Sequence, residues 1–341
     1  MTTHDELAAT IAKLTAPGKG ILAADESLPT ITKRFKALGI ESSDESRRAY
    51  RNLLFTAPDA DRYLAGVILF EETLEQKGDD GTLLGDVLAR RGIVPGIKVD
   101  KGTVPLPNAD GDLITQGLDG LSERLKTYKA KGARFAKWRE VYAITDRNPT
   151  SLGIKANAEV LARYATICQE QGIVPIVEPE VLIDGDHTLE RCYEVTDAVL
   201  HAVFHALYRH RAMLEYLVLK PNMVLPGKEH APKASPEVVA RATLDALRRN
   251  VPAAVPTINF LSGGQAPVEA TANLNAMNAM ATDKPWILSF SYARALQDDA
   301  MRTWAGRAEN VRTAQDAFRR RVKMNSLARD GKWNEAAERA A

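Results

Sequence analysis

Cysteine is scarce in this sequence, because its 341 residues include only Cys168 and Cys192. Two thiols cannot build the disulfide framework of a small secreted domain, and so low a number is typical of proteins in a reducing cytosol. Cys168 lies in a helical apolar pattern and is predicted to be a small core residue. We therefore expect no disulfide, and the composition favours a cytoplasmic protein.

Long apolar segments are also missing. The longest run, residues 64–70, is far too short to span a bilayer. The first residues, MTTHDELAATIAK, carry acidic side chains and no apolar core of the kind found in signal peptides. Neither charge is in excess, since 45 Lys and Arg oppose 44 Asp and Glu for a net charge of +1. We expect neither a membrane nor a nucleic-acid partner.

Motifs for metals and nucleotides are incomplete. His201 and His205 are four residues apart, but no Glu follows the first His as it does in H-E-x-x-H zinc sites. The segment 261–265, LSGGQ, matches the signature loop of ABC-type ATPases, yet the chain has no Walker A motif. We therefore expect no metal site and exclude an ATPase.

Eight short apolar runs recur at intervals of roughly 30 to 45 residues, with helical patterns between them. Such a repeat predicts a parallel (β/α)8 barrel, with an open doubly wound sheet as the alternative. We expect one domain over residues 1–341, in which a helix at 1–17 precedes the barrel and a helical tail at 307–341 follows it. The runs are 20–24, 63–70, 93–99, 133–138, 173–179, 216–221, 256–264 and 286–292.

Nearly every run ends in a charged or hydroxyl residue, which favours the barrel, because in a barrel these ends converge on one mouth. Three runs carry pairs spaced by two residues, and this period places both members on one face of a strand. A solvated edge strand would be the simpler explanation for one such pair, but three pairs at the same end of successive units favour the interior. The pairs are Lys98 with Asp100, Lys137 with Arg139, and Glu178 with Glu180.

Lys220 ends an apolar strand just before Pro221. A buried ammonium is costly, and the cations Lys137 and Arg139 nearby should lower its pKa and leave a neutral amine. A neutral amine can attack a carbonyl to form an iminium, with Glu178 or Glu180 as the proton shuttle. The alternative is a structural ion pair between Lys220 and a carboxylate.

The turn Ser262-Gly263-Gly264 precedes a helix, so its N–H groups can bind an anion such as phosphate. Arg294 follows the last strand and can add a bidentate guanidinium. In barrels, phosphate commonly binds at the loops after strands seven and eight, where these residues are expected. Without Arg294 the segment would be interpreted as an ordinary turn.

Seven segments together are similar to class I fructose-bisphosphate aldolases, in one order from about residue 15 to residue 325. They are GKGILAADES (18–27), GIKVDKG (96–102), FAKWR (135–139), IVEPE (176–180), LKPNMV (219–224), FLSGGQ (260–265) and SYARALQ (291–297). The resemblance implies reversible, metal-independent cleavage of fructose 1,6-bisphosphate to dihydroxyacetone phosphate and glyceraldehyde 3-phosphate, in glycolysis and gluconeogenesis. It also implies a homotetramer that needs no cofactor.

The resemblance further implies roles for single residues. Lys220 would form the Schiff base, Glu178 would be the acid/base of carbinolamine dehydration, and Glu180 would be its neighbour. Asp25 would assist proton abstraction from the C4 hydroxyl, Lys137 would support the iminium chemistry electrostatically, and Arg139 would line the site. The C1 phosphate would bind Ser262, Gly263 and Arg294, and the C6 phosphate would lie toward Ser27 and Lys98.

The chain departs from the family pattern at three places. Ala293 replaces a Gly that many members have, which would strain the backbone by about 1 kcal/mol or more if φ were positive there. Leu28-Pro29-Thr30 replaces a Thr-Gly-Ser type loop, so we expect a stiffer loop near the C6 phosphate. The tail lacks the family's terminal Tyr, so we expect either that another group or water serves in proton exchange or that this step limits turnover. A transaldolase-like transferase and a catalytically idle binding scaffold are the alternative functions.

Overall fold

Strands form at all eight apolar runs. The computed structural model describes residues 2–340, which contain ten strands. The strands are β1 (Gly20–Ala24), β2 (Leu64–Leu69), β3 (Val94–Lys98), β4 (Thr103–Pro105), β5 (Leu113–Thr115), β6 (Phe135–Tyr142), β7 (Val174–Val181), β8 (Val218–Leu219), β9 (Thr257–Phe260) and β10 (Ile287–Tyr292).

Helices separate most of these strands and also occupy both ends of the described range. They are α1 (Thr3–Leu14), α2 (Leu28–Lys36), α3 (Asp44–Phe55), α4 (Ala60–Tyr63), α5 (Leu84–Arg90), α6 (Leu121–Ala130), α7 (Ser151–Glu170), α8 (Leu189–Arg209), α9 (Pro236–Asn250), α10 (Pro267–Ala279), α11 (Arg294–Trp304), α12 (Val311–Arg329) and α13 (Glu335–Ala340). Short 3-10 turns lie at Glu71–Leu74, Leu214–Tyr216 and Ala308–Asn310.

Eight of the strands close into a parallel barrel in the order β1-β10-β9-β8-β7-β6-β3-β2, which confirms the predicted (β/α)8 architecture. The strands are buried on both faces because helices cover the outside and side chains fill the inside. Along β1, Ile21 and Ala23 belong to the interior cluster, whereas Leu22 and Ala24 pack in the layer beneath the helices. The strand period of two therefore separates two distinct cores.

Helix α1 closes the bottom of the barrel. Its Leu7 and Leu14 are buried against the interior cluster, which includes Phe135 of β6. The Phe135 ring fills the space next to Gly96, where an added Cβ would lie 2.2 Å from the ring. The capping box of Thr2 and Asp5 starts the helix. The N-terminal helix thus forms a plug that covers the barrel bottom with its buried face.

Three local features of the backbone bear on the sequence-based expectations. The segment expected to be a stiff loop at Leu28-Pro29-Thr30 is the first turn of α2, where proline is tolerated because no intrahelical N–H partner is needed. Ala293 has φ −100°, so the backbone strain that a positive φ would cause does not arise. The hairpin of β4 and β5, which extends from the β3 side of the mouth, was not predicted.

Ser235 is the N-cap of α9, as its spacing to Pro236 predicts. Within residues 2–340, no helix is both long and apolar enough to cross a membrane.

Candidate active site

On four strands, the side chains that point into the barrel change from apolar to charged toward the carboxyl end of the strand. Because side chains two residues apart share a face, the first charged residue of each series lies directly above an apolar interior residue. Together they line a cavity of about 490 Å³ at the mouth of the barrel. The four series are Ile21-Ala23-Asp25, Phe135-Lys137-Arg139, Val174-Ile176-Glu178-Glu180 and Val218-Lys220.

A chain of four buried charges forms the floor of the cavity. Lys137 Nζ lies 2.7 Å from Asp25 Oδ2 and 3.5 Å from Glu178 Oε2. Lys220 Nζ lies 3.3 Å from Glu178 Oε1. Each of the four residues is at most 8% exposed. The charges alternate along the chain, so each buried ion has an opposite charge beside it, as burial requires.

Two shifted pKa values describe the electrostatics of this floor. Burial alone would raise the pKa of Asp25, but the charges of Lys137 and Lys220 outweigh burial and lower it. Burial alone would lower the pKa of Lys137, but the carboxylates of Asp25 and Glu178 raise it above its ordinary value. Asp25 is therefore a carboxylate and Lys137 an ammonium at neutral pH.

In the pairs on β6 and β7, the second member lies nearer to the solvent. Arg139 Nε donates a hydrogen bond to Glu180 Oε2, and the Arg139 side chain is 41% exposed while that of Glu180 is 8% exposed. The cations that were expected to act on Lys220 are thus each matched by a carboxylate. The 3.3 Å between Lys220 Nζ and Glu178 Oε1 suits direct proton transfer between the two groups, and it equally satisfies the ion-pair alternative.

The segment after β9 and the start of α11 supply one set of anion donors. Ser262, Gly263 and Arg294 line the cavity. Gly264 has φ +97°, and a Cβ there would lie 3.2 Å from Arg294 Nη2, so a side chain would be both strained and crowded against the guanidinium. Ser291 also lines the cavity, and its buried Oγ has no hydrogen-bond partner among the described residues.

Helix α2 supplies a second set of lining residues. Thr30 belongs to the segment that was expected near the C6 phosphate, whereas Lys33 and Arg34 were not predicted. The helix signal was available, because Pro29 stands in its first turn and basic residues fill its last turn. Ser27 and Lys98 are outside the cavity lining. Ser27 Oγ lies 3.1 Å from Thr30 Oγ1, and Lys98 Nζ donates to Asp100 Oδ1 at 2.6 Å.

Residues 2–340 contain no cluster of three or more His, Cys, Asp or Glu suited to holding a metal ion. The rings of His201 and His205 stack with centroids 6.5 Å apart on helix α8, outside the barrel.

A barrel whose mouth combines a buried lysine–carboxylate chain with two sets of anion donors defines a lysine-centred enzyme for phosphorylated substrates. The family model described as "Fructose-bisphosphate aldolase class-I" matches residues 6–341. The chain belongs to the class I fructose-bisphosphate aldolase family, which confirms the resemblance found in the motifs.

Individual relatives are similar over nearly the whole chain. Cytosolic fructose-bisphosphate aldolase 6 of Arabidopsis thaliana is 57% identical over 329 residues, which cover 96% of this chain and 92% of the relative. Fructose-bisphosphate aldolase C of Rattus norvegicus is 52% identical, and the match covers 98% of this chain and 93% of the relative. A solved structure of fructose-bisphosphate aldolase from Plasmodium falciparum, in complex with TRAP and a small-molecule inhibitor, superposes with a TM-score of 0.95 at 49% identity, covering 97% of this chain and 96% of the other.

Proposed function

We propose that this protein cleaves fructose 1,6-bisphosphate reversibly to dihydroxyacetone phosphate and glyceraldehyde 3-phosphate through an iminium on Lys220. The observation that carries the proposal is the buried chain from Asp25 through Lys137 and Glu178 to Lys220. It places a primary amine, a carboxyl group for proton transfer and a second carboxylate in one cavity, as Schiff-base cleavage requires.

In the forward direction, Lys220 transfers a proton to Glu178, and its neutral amine attacks C2 of the open-chain ketose. The extra proton on the nitrogen then moves to the C2 oxygen, which gives a carbinolamine. Glu178 donates a proton to the C2 hydroxyl, which leaves as water while the C2–N bond becomes an iminium. Asp25 assists removal of the proton from the C4 hydroxyl; the C3–C4 bond then breaks, its electron pair forms the enamine, and glyceraldehyde 3-phosphate leaves. Protonation of the enamine at C3 and hydrolysis of the iminium release dihydroxyacetone phosphate and restore Lys220.

Lys137 and Glu180 complete this machinery. Burial opposes a raised pKa of Lys137, but the carboxylates of Asp25 and Glu178 outweigh burial and raise it. Lys137 therefore keeps a fixed positive charge beside the reacting carbons. Glu180 accepts a hydrogen bond from Arg139 above the floor of the cavity and gives the site a second carboxylate near Glu178.

The two sets of anion donors suit the two phosphates. We assign the C1 phosphate to Ser262, Gly263 and Arg294, because a Ser-Gly-Gly turn presents backbone N–H groups and Arg adds a bidentate contact. We assign the C6 phosphate to the α2 side, where Thr30 and Lys33 line the cavity. Ser27 and Lys98 stay proposed ligands of this phosphate, for which they would leave their present partners.

We further propose a cytoplasmic homotetramer that needs neither a metal nor an organic cofactor. Several relatives are named cytosolic or cytoplasmic, and the near-balanced charge of the chain fits neither a nucleic-acid nor a membrane partner.

Borohydride trapping tests the proposal. The protein is incubated with fructose 1,6-bisphosphate, reduced with borohydride, and the adduct is mapped by mass spectrometry. We expect one covalent label on Lys220, none in Lys220→Gln, and cleavage activity that EDTA does not change. Lys228→Gln, which alters an exposed lysine paired with Asp184, is the control and should be labelled like the wild type. Absence of the adduct, or loss of activity with the chelator, would refute the proposal.

A further inference from the structure

Arg34 joins two elements that carry opposite ends of the candidate substrate site. It lies on α2, and its Nη2 donates to Asp298 Oδ1 of α11 at 2.9 Å. Its Nη1 donates to Glu26 Oε1 and, at 3.5 Å, to Gln297 Oε1. The Arg34 side chain is 14% exposed and lines the cavity. Its two terminal nitrogens are therefore both engaged by protein acceptors before any substrate arrives.

Helix α2 depends on this contact more than most helices of the barrel would. Of its nine residues, Ile31 and Phe35 are the buried ones. Phe35 packs against Trp304 at the far end of α11, with ring centroids 5.8 Å apart. Its N-cap, Ser27, makes no capping hydrogen bond through its side chain. The Arg34 contact with Asp298 thus adds to the packing of Ile31 and Phe35 in fixing the face of α2 that presents Thr30 and Lys33 to the cavity.

Helix α11 is the rigid partner. Gln297 donates from Nε2 to the carbonyl of Ala23 in β1 at 2.6 Å and accepts from Tyr50 Oη at 3.1 Å. The helix begins at Arg294, which lines the cavity, and Asp298 lies one turn further on. Asp298 is outside the cavity lining, so it acts on the site through Arg34 and does not contact substrate.

The local charges make Asp298 a specific partner. Glu26 is shared, because its Oε2 accepts from Arg51 Nη2 at 2.7 Å while its Oε1 accepts from Arg34. One carboxylate thus faces two guanidinium groups, and Asp298 supplies the second negative charge. Without Asp298, Nη2 of Arg34 would have no carboxylate partner and Arg34 would be drawn toward Glu26 and the cavity.

We propose that Asp298 is a positioning residue that sets the preference for a bisphosphorylated ketose over its 1-monophosphate. This inference rests on the proposed function, in which Thr30 and Lys33 on α2 bind the C6 phosphate. Asp298 holds Arg34, Arg34 holds α2, and α2 presents these two residues. The 1-monophosphate has no C6 phosphate, so its binding does not depend on this arrangement.

Steady-state kinetics on fructose 1,6-bisphosphate and fructose 1-phosphate test the proposal. In Asp298→Ala, we expect KM for the bisphosphate to rise by about threefold to tenfold, the range of a partly buried ion pair. The value of kcat on both substrates and KM for the monophosphate should stay at the wild-type values. Asp298→Glu keeps a carboxylate for Arg34 and should retain most of the affinity, whereas Asp298→Asn, which lacks the charge, should be impaired like the Ala variant. Asp299→Ala removes the same charge one residue along, where the side chain is 46% exposed and 3.4 Å from Arg302, and should match the wild type.

Three results would overturn the proposal: unchanged KM for the bisphosphate in Asp298→Ala, an equal rise for both substrates, or a Glu variant as impaired as the Ala variant. An equal rise would indicate a general disturbance of α11, and failure of the Glu variant would indicate that the local packing of Asp298, and not its carboxylate, is what matters. The Lys220 adduct of each variant is trapped in parallel. An adduct that forms normally while the preference does not change would refute the role of Asp298 and leave the proposed function intact.

Discussion

Glu140 is a fully buried acid that the proposed chemistry does not use. It lies on β6 between Arg139 and Val141, on the strand face opposite to the cavity. Its Oε1 accepts a hydrogen bond from Trp138 Nε1 at 2.8 Å, and its Oε2 has no hydrogen-bond partner within the described range. Burial raises its pKa to about 8, against the opposing effect of hydrogen bonds from Thr115 and Trp138, and the charge of Asp100 adds to the increase.

The pKa of Glu140 predicts how stability changes with pH. In the folded protein Glu140 holds its proton up to about pH 8, whereas the unfolded chain releases it above the ordinary value of 4.5. The unfolded state therefore binds fewer protons in this window, and Glu140 costs stability as the pH rises, by up to about 1.4 kcal/mol per pH unit. Glu140→Gln removes this cost. We expect the urea midpoint of the variant to exceed that of the wild type at pH 8, and the difference to shrink toward pH 5.

A matched control is Glu123→Gln, which neutralises a 76% exposed side chain on α6. Its urea midpoint should follow the wild type at both pH values within error. A constant difference between Glu140→Gln and the wild type across the pH range would contradict the prediction, because it would indicate a packing effect rather than a proton linkage.

At the scale of elements, the barrel strands were predictable, whereas the cavity-lining residues of α2 were not. Each strand is an apolar run because it is buried on both faces, so the signal is local. The charged residues at the strand ends were predictable for the same reason, since a period of two fixes which side they face. Lys33 and Arg34 are polar residues on a mostly exposed helix, and only the packing of α2 against α11 brings them to the cavity. The β4–β5 hairpin was missed because its residues are half-exposed and form no apolar run.

The plug formed by α1 leads to a prediction at this scale. Leu7 is fully buried inside the barrel bottom, where Phe135 and Val174 also lie. Leu7→Ala should lower the free energy of unfolding by about 2 to 5 kcal/mol, the usual cost of an apolar side chain lost from a close-packed core. Because the bottom lies at the other end of the strands from the cavity, kcat and KM for fructose 1,6-bisphosphate should not change at a temperature where the variant is folded.

Leu38→Ala is the control for this substitution, because Leu38 is 37% exposed and its loss opens no cavity. Its unfolding free energy should lie close to that of the wild type. A large loss of kcat in folded Leu7→Ala would be evidence against a purely structural plug, since it would link the barrel bottom to the chemistry at the mouth.

For the whole molecule, the question is whether the end segments belong to the same cooperative unit as the barrel. Helix α12 is fastened to several other parts of the chain. Gln315 Nε2 donates to the carbonyl of Leu53 in α3 at 3.0 Å, and Ser326 Oγ donates to the carbonyl of Gly18 before β1 at 2.6 Å. Arg321 is 2% exposed and donates to Thr271 of α10. These contacts join the chain ends to the barrel wall and support the prediction of one domain.

One domain predicts one unfolding transition. Trp333 lies between α12 and α13, and its Nε1 donates to Glu338 Oε2 at 2.9 Å. The difference in fluorescence between the wild type and Trp333→Phe therefore reports the tail, whereas far-UV circular dichroism reports the whole chain. We expect both signals to share one urea midpoint at a fixed protein concentration, because Arg321 would lose its carboxylate partner if α13 detached while the barrel stayed folded.

A lower midpoint for the Trp333 signal would show that the tail unfolds separately and would divide the chain into two units. Repeating the titration at a tenfold higher protein concentration separates this case from subunit dissociation, because dissociation shifts with concentration whereas detachment of the tail within one chain does not.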